Sequence, residues 1–143
     1  MNVKSVIGSR WEKIFVGDRV AFEIVLQKSH LDLFRQLTGD NSRLHRDEKF
    51  AQELGFDGLV PHGLLLASYF SRLVGMHFLA DNNLYLSQSL NFRQPAHLGE
   101  KLIVTGVIKN KIDAVRTVEI ITIISDSRGQ ELITGTATVK YLP

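Results

Sequence analysis

A chain of 143 residues, 44% hydrophobic and 22% charged, has the size and balance of a single globular domain with its own core. A net charge of +2 without any long Lys/Arg run argues against nucleic acid as a partner. The absence of cysteine excludes disulfides, thiolate metal sites and cysteine nucleophiles. No apolar stretch is long enough to span a bilayer, so no membrane partner is expected, and residues 1–10, read as an extension of one domain over 1–143, lack the apolar run of a secretory signal. The composition fits a reducing, cytoplasmic setting. Lys4, Ser5, Ser9 and Arg10, with no acid before Glu12, leave a mitochondrial presequence as the alternative.

In chain order, residues 19–27 alternate Val20, Phe22, Ile24 and Leu26 with their neighbours and predict a strand. Ser29 reads as a helix N-cap, with Asp32 three residues on. Leu31, Phe34, Arg35 and Leu37 carry helical spacing until Gly39. Residues 40–46 form a polar loop. Asp47 caps a short helix over 48–54, stopped by Gly55, and Asp57-Gly58 marks a turn within the loop 56–61. Residues 63–79 predict a long helix, apolar on nearly every side, in which Arg72 is the only Lys, Arg, Asp or Glu. Such a helix has to be wrapped by other structure, and Asp81-Asn82-Asn83 ends it. Four strands follow at 84–92, 101–109, 115–125 and 131–141, rich in Ile, Val and Thr. The order of elements gives an α+β domain in which a curved antiparallel sheet wraps one helix.

Chemistry concentrates in Thr38-Gly39-Asp40-Asn41-Ser42-Arg43-Leu44-His45 and in Val60-Pro61-His62-Gly63. The first segment offers a carboxylate and an imidazole on a short loop. The second opens a helix whose unpaired N–H groups suit an anion. Asp40, His45 and the Gly63 amide are the candidate catalytic groups. The plainer readings are a turn aspartate, a packed loop histidine and a helix-packing glycine. His62 reads as a structural brace, His30 and His97 as solvated turn residues, and His77 as structural. Without cysteine or an HxxxH pairing, a catalytic metal is not expected. Leu65, Leu66 and Tyr69 are candidates to touch an apolar ligand tail. Arg93, Lys101, Lys109 and Lys111 are candidates to meet phosphate or, more plainly, solvated surface.

Taken together, these residues resemble the MaoC-like hot-dog family, specifically the (R)-specific enoyl-CoA hydratases, over about residues 11–142. Asp40, Leu44 and His45 match the family loop Asp-any-Asn-Pro-hydrophobic-His. Ser42 stands where Asn is usual and Arg43 where Pro is usual. The helix entry Pro61-His62-Gly63-Leu64-Leu65-Leu66-Ala67-Ser68 and the segment Leu84-Tyr85-Leu86-Ser87-Gln88-Ser89-Leu90-Asn91-Phe92 complete the match. The resemblance implies a hot-dog fold and a homodimer or dimer of dimers with active sites at the subunit interface. It implies an acyl-CoA or acyl-carrier-protein thioester as substrate, and no cofactor. It assigns Asp40 as the base, His45 as the group that orients water and assists proton delivery, and the Gly63 N–H as the enolate donor. The implied reaction is hydration of a trans-2-enoyl-CoA to the (R)-3-hydroxyacyl-CoA. The alternatives are 3-hydroxyacyl-carrier-protein dehydration, a hot-dog thioesterase and a non-catalytic acyl-binding subunit. Absence of Asp and Glu from 63–79 argues against the thioesterase, and retention of Asp40 and His45 against the non-catalytic subunit.

Overall fold

The computed structural model describes residues 3–4, 10–79 and 81–143. Its sheet contains β1 (Val3–Lys4), β2 (Arg19–Val25), β3 (Asn83–Gln88), β4 (Asn91–Phe92), β5 (Lys101–Ile112), β6 (Thr117–Asp126) and β7 (Glu131–Tyr141). The order is β1-β2-β5-β6-β7-β3, with β4 also pairing to β7. Every pairing is antiparallel except the short parallel bridge between β1 and β2. The predicted extension 1–10 therefore contributes a strand. Residues 1–2 and 5–9 lie outside the described residues.

Alternation decides which face of the sheet is core. On β6, Val118, Ile120, Thr122, Ile124 and Asp126 are buried while the residues between them are half-exposed. Over this face lies the predicted central helix, an α+β hot-dog arrangement. The helix is not one uniform cylinder over 63–79. It comprises α3 (Gly63–Ala67), α4 (Tyr69–Arg72) and a π turn (Leu73–His77), with Ser68 tightened between the first two, where its Oγ donates to the Leu65 carbonyl at 2.6 Å. It ends at Phe78, in extended conformation, and Leu79 adopts a left-handed φ of 62°. Leu66, Ala67, Phe70, Leu73 and Val74 make one buried stripe, whereas Leu64 and Met76 are 61% and 65% exposed. The expected burial on nearly every side is thus met within this chain on one face only.

Several predicted boundaries move for local reasons. The cap of α1 (Lys28–Thr38) is Gln27, not Ser29, and the Gln27 N–H donates to His30 Nδ1 at 3.0 Å. His30 is therefore a cap partner and not merely a solvated turn residue. Asp32 pairs with Lys28 and Arg35 instead. Asp47 does cap α2 (Glu48–Glu53), accepting from the Phe50 N–H at 3.0 Å. The single predicted strand 84–92 divides into β3 and β4, with a bulge between Tyr85 and Ser87. Between them the Ser89 backbone crosses Gly135 so closely that a Cβ there would fall on the Ser89 carbonyl. The predicted connections 110–114 and 126–130 shrink because β5 extends to Ile112 and β6 to Asp126. Buried Asp126 closes the β6–β7 turn by accepting from the Arg128 and Gln130 N–H groups, each at 2.9 Å.

At Gly106 a Cβ would lie 2.6 Å from the Phe78 ring and 2.9 Å from Leu73. There the obstacles are side chains at the helix end, which can shift. At Gly135 the obstacle is backbone. Gly106→Ala should therefore destabilise by about 1–3 kcal/mol, as overpacking does, and Gly135→Ala by more. Urea unfolding midpoints of the two variants check the order.

Candidate active site

The loop that carries Asp40 and His45 begins where α1 stops. Gly39, at φ 77°, takes the left-handed conformation that a C-terminal cap requires, and its N–H donates to the Arg35 carbonyl at 2.8 Å. Asp40 follows at once and folds the chain into an Asx turn, its Oδ1 accepting from the Ser42 N–H at 3.1 Å. The residues that replace the family's Asn-Pro are both engaged. Ser42 supplies this N–H and accepts from the His45 N–H at 3.1 Å. Arg43 donates to Asp47 at 2.7 Å and lies 4.2 Å from the centre of the Phe50 ring. Arg46 and Arg35 hold Asn41, through its carbonyl at 2.8 Å and its side-chain oxygen at 3.3 Å.

The turn Arg43–His45 delivers His45 to the second segment. Its Nδ1 sits 2.6 Å from the Val60 carbonyl oxygen, and the Val60 N–H donates to the Leu44 carbonyl at 3.2 Å. A carbonyl only accepts, so Nδ1 carries the proton and neutral His45 presents an Nε2 lone pair. The imidazole of His62 stacks on this ring, with centroids 3.8 Å apart and planes 28° apart, and meets Phe34 at 4.7 Å on α1. His62 Nε2 is 3.8 Å from Asp40 Oδ2, and the two side chains are 3% and 44% exposed. Burial is the main cause that holds His62 below the ordinary imidazole range. Proximity to His45 adds to it, and Asp40 pulls the other way.

A carboxylate oxygen of Asp40 and a ring nitrogen of each histidine all lie within 4.8 Å of one another. A span of that size is bridged by one water making two hydrogen bonds of about 2.8 Å. A shared metal fits less well. The nearly parallel rings keep their in-plane lone pairs from converging at the roughly 2.0–2.1 Å that a zinc ion needs.

On the other side of His45 is a cavity of about 430 Å³, lined by His45, Gly63, Leu66, Phe92, Arg93 and Ile133 among others. Gly63 heads α3, where its N–H has no intrahelical acceptor. A Cβ at Gly63 would meet the Phe92 ring at 2.8 Å, so glycine lets that ring pack directly against the helix start. The structure thus brings His45 and Gly63 onto one cavity. Asp40 stands beside His62 and is not part of the cavity wall. Of the three candidates for an apolar tail, Leu66 lines this cavity, while Leu65 and Tyr69 line a separate groove against α1. Arg93 is at the cavity, its Nε donating to Thr134 at 3.0 Å. Lys111 is occupied by the Trp11 carbonyl at 2.9 Å and by the Trp11 ring, and Lys101 pairs with Glu23 at 3.3 Å, so both act within the fold. His77 stacks on Phe22 at 4.9 Å, a structural position, and His97 is exposed. Val60, Phe34 and Phe92 carry no chemical signature in the sequence. They act through a backbone carbonyl and through ring packing, and only their position reveals them.

The MaoC like domain model matches residues 14–127. The chain is 32% identical over 133 residues to the (R)-specific enoyl-CoA hydratase of Aeromonas caviae, covering 90% of this chain and 96% of that protein. A solved structure titled as the (R)-hydratase from A. caviae superposes with a TM-score of 0.86 at 30% identity, covering 91% of this chain and 98% of that one. The chain is also 32% identical over 88 residues to a mitochondrial 3-hydroxyacyl-[acyl-carrier-protein] dehydratase of Arabidopsis thaliana, covering 62% of this chain and 52% of that protein.

The burial of His62 has a consequence for stability. Its folded-state pKa lies below the unfolded value of about 6.5. As pH falls below that value, the unfolded chain takes up a proton that the folded chain refuses, so stability falls until the folded pKa is passed. Unfolding midpoints of the wild type should drop as pH falls below about 6.5, and His62→Phe, which has no imidazole to titrate, should show a shallower drop.

Proposed function

This chain belongs to the MaoC-like domain family, and from that premise we propose that it reversibly adds water to a trans-2-enoyl-CoA, giving the (R)-3-hydroxyacyl-CoA. The observation that carries the reading is the fixed tautomer of His45. The Val60 carbonyl binds its Nδ1–H, which leaves Nε2 for water, on a ring that lies close to the Asp40 carboxylate and shares a cavity with Gly63.

In an enoyl thioester the carbonyl makes the β-carbon electrophilic. His45 Nε2 orients the water and Asp40 takes one of its protons. The water oxygen forms the C–O bond to the β-carbon as the π electrons move onto the carbonyl oxygen. The Gly63 N–H, at the positive end of a helix, holds that enolate oxygen. The α-carbon then receives a proton from the Asp40–His45 pair, the carbonyl re-forms, and the elements of one water have been added. Dehydration is the same path reversed. The buried side chains of Leu66 and Ile133 bound the cavity and give the acyl chain an apolar floor. Water held on one side of a carbonyl fixed by Gly63 reaches one face of the planar enoyl group, which gives a single stereoisomer, and the similarity to the (R)-specific hydratase of Aeromonas caviae supports the (R) sense. The relationship to the Arabidopsis protein supports a second reading, in which the same groups act on a 3-hydroxyacyl carrier protein.

Purified protein should remove the conjugated enoyl absorbance of crotonyl-CoA, and chiral chromatography after hydrolysis should find the (R) acid. Asp40→Asn and His45→Gln should each lower kcat by at least about 10² with the fold intact. Near wild-type turnover in either variant removes that residue from the chemistry, and an (S) or racemic product defeats the proposed pose.

The proposed assembly is a twofold homodimer, with a dimer of dimers as its larger form. Strand β3 is a sheet edge on which Leu84 and Leu86 are exposed, and Leu64, Met76 and Phe92 add apolar surface. Pairing β3 with its copy covers the edge and buries part of that surface. Sedimentation at micromolar concentration should show a species of at least twice the 16.1 kDa chain mass. A species of one chain mass alone rules the dimer out.

A further inference from the structure

We infer that His62 is a positioning residue for the Asp40–His45 pair, a buried imidazole that fixes the carboxylate and supports the His45 ring. The inference rests on the hydratase reading above. Neither ring nitrogen of His62 makes a hydrogen bond of normal geometry among the described residues, although both are buried and the Asp40 backbone lies close enough to favour its charged form. Buried polar atoms are rarely left so, and in a site such an atom marks a catalytic role or a place where a water or another partner binds. The candidate partner is already in place. Asp40 Oδ2 is 3.8 Å from His62 Nε2, while the other carboxylate oxygen is held by the Ser42 N–H at 3.1 Å. A movement of about 1 Å brings Nε2 and Oδ2 to normal hydrogen-bond length. Catalytic hydrogen bonds commonly tighten only when substrate is bound. With donors on both oxygens, the plane of the half-exposed Asp40 carboxylate is set.

Stacking does the second task. The His62 ring stacks on His45 and also meets Phe34 on α1, so it limits rotation of His45 about its bond to Val60. The ionisable groups that face His62 are Asp40 and His45 from the loop and Arg35 from α1, the last engaged with Asp32 and Asn41. Among them, burial and the neighbouring His45 disfavour a charge on His62. A neutral His62 does not repel the proton that His45 has to carry, and it keeps an N–H to give to Asp40.

The test uses the full chain with His62→Phe, which keeps a ring in the stack but no nitrogen, and His62→Gln, which restores an amide N–H. With crotonyl-CoA, His62→Phe should lower kcat about 10- to 100-fold with KM within about twofold, and His62→Gln should recover several-fold of that loss. Unfolding curves establish that both variants fold. A folded His62→Phe protein with wild-type kcat, a loss confined to KM, or a His62→Gln protein no better than His62→Phe overturns the inference. A second measurement does not depend on turnover. Nitrogen-15 NMR of the wild type saturated with butyryl-CoA, which cannot be hydrated, should show a protected His62 ring N–H that disappears in His62→Phe and shifts in Asp40→Ala. Absence of that signal, or its indifference to Asp40→Ala, also overturns the inference. The signal without turnover of any enoyl or 3-hydroxyacyl thioester would defeat the hydratase reading and leave the His62–Asp40 contact standing.

Discussion

The contact between His45 Nδ1 and the Val60 carbonyl ties the site together. It joins two segments that are separate in sequence, the loop after α1 and the entry to α3, and the Val60–Leu44 backbone bond doubles the link. Without it neither the tautomer of His45 nor its distance from Gly63 is fixed. A carbonyl is well suited to this role because it accepts at any pH at which the protein is folded. The lone pair on Nε2 is therefore defined by backbone geometry and not by a second ionisable group. The same contact seats His45 on His62, and His62 in turn reaches α1 through Phe34.

The loop also illustrates how rigidity is obtained without the usual residues. Proline would restrict one backbone angle at position 43. Here Arg43 lies across the start of α2, bonded to Asp47 and resting on Phe50. Asp47 is simultaneously the N-cap of that helix, so the ion pair and the cap anchor the same point. The Arg43 contact pulls the Asp47 carboxyl below its usual range, with the Phe50 N–H as the next cause. Ser42 contributes through its backbone, as the donor that closes the Asx turn at Asp40. The loop is stiffened by several modest polar contacts in place of one covalent constraint.

Where the helix meets the sheet, the limiting factor is space. Gly106 lets the Phe78 ring lie on β5, and Gly135 lets the Ser89 backbone cross β7 on its way from β3 to β4. That crossing turns β4 toward the helix entry and places Phe92 against Gly63. One wall of the cavity is thus supplied by a strand break, and the opposite wall by the first turn of the helix. The π turn at Leu73–His77 lets the helix finish while Phe78 points into the core and His77 reaches Phe22.

The sequence alone determined the class of the fold. Period-two alternation in the later strands and a long apolar helical segment can be satisfied together only by a sheet laid over a helix. It also singled out Asp40, His45 and Gly63 as candidates, because a carboxylate, an imidazole and a glycine at a helix start suit acid/base and anion-holding chemistry and stand in motifs that resemble the family's. Other features were decided by tertiary structure. The cap at Gln27, the division of 84–92 into two strands and the interrupted central helix depend on which backbone groups find partners across the fold, and residue identity does not encode that. The surroundings of His62 are the clearest case. A histidine before a helix reads as a brace, and only the converging of Phe34, Asp40 and His45 around it shows a buried ring among the candidate groups. Burial is a property of all the segments that surround a side chain, and those segments come together only when the chain has folded.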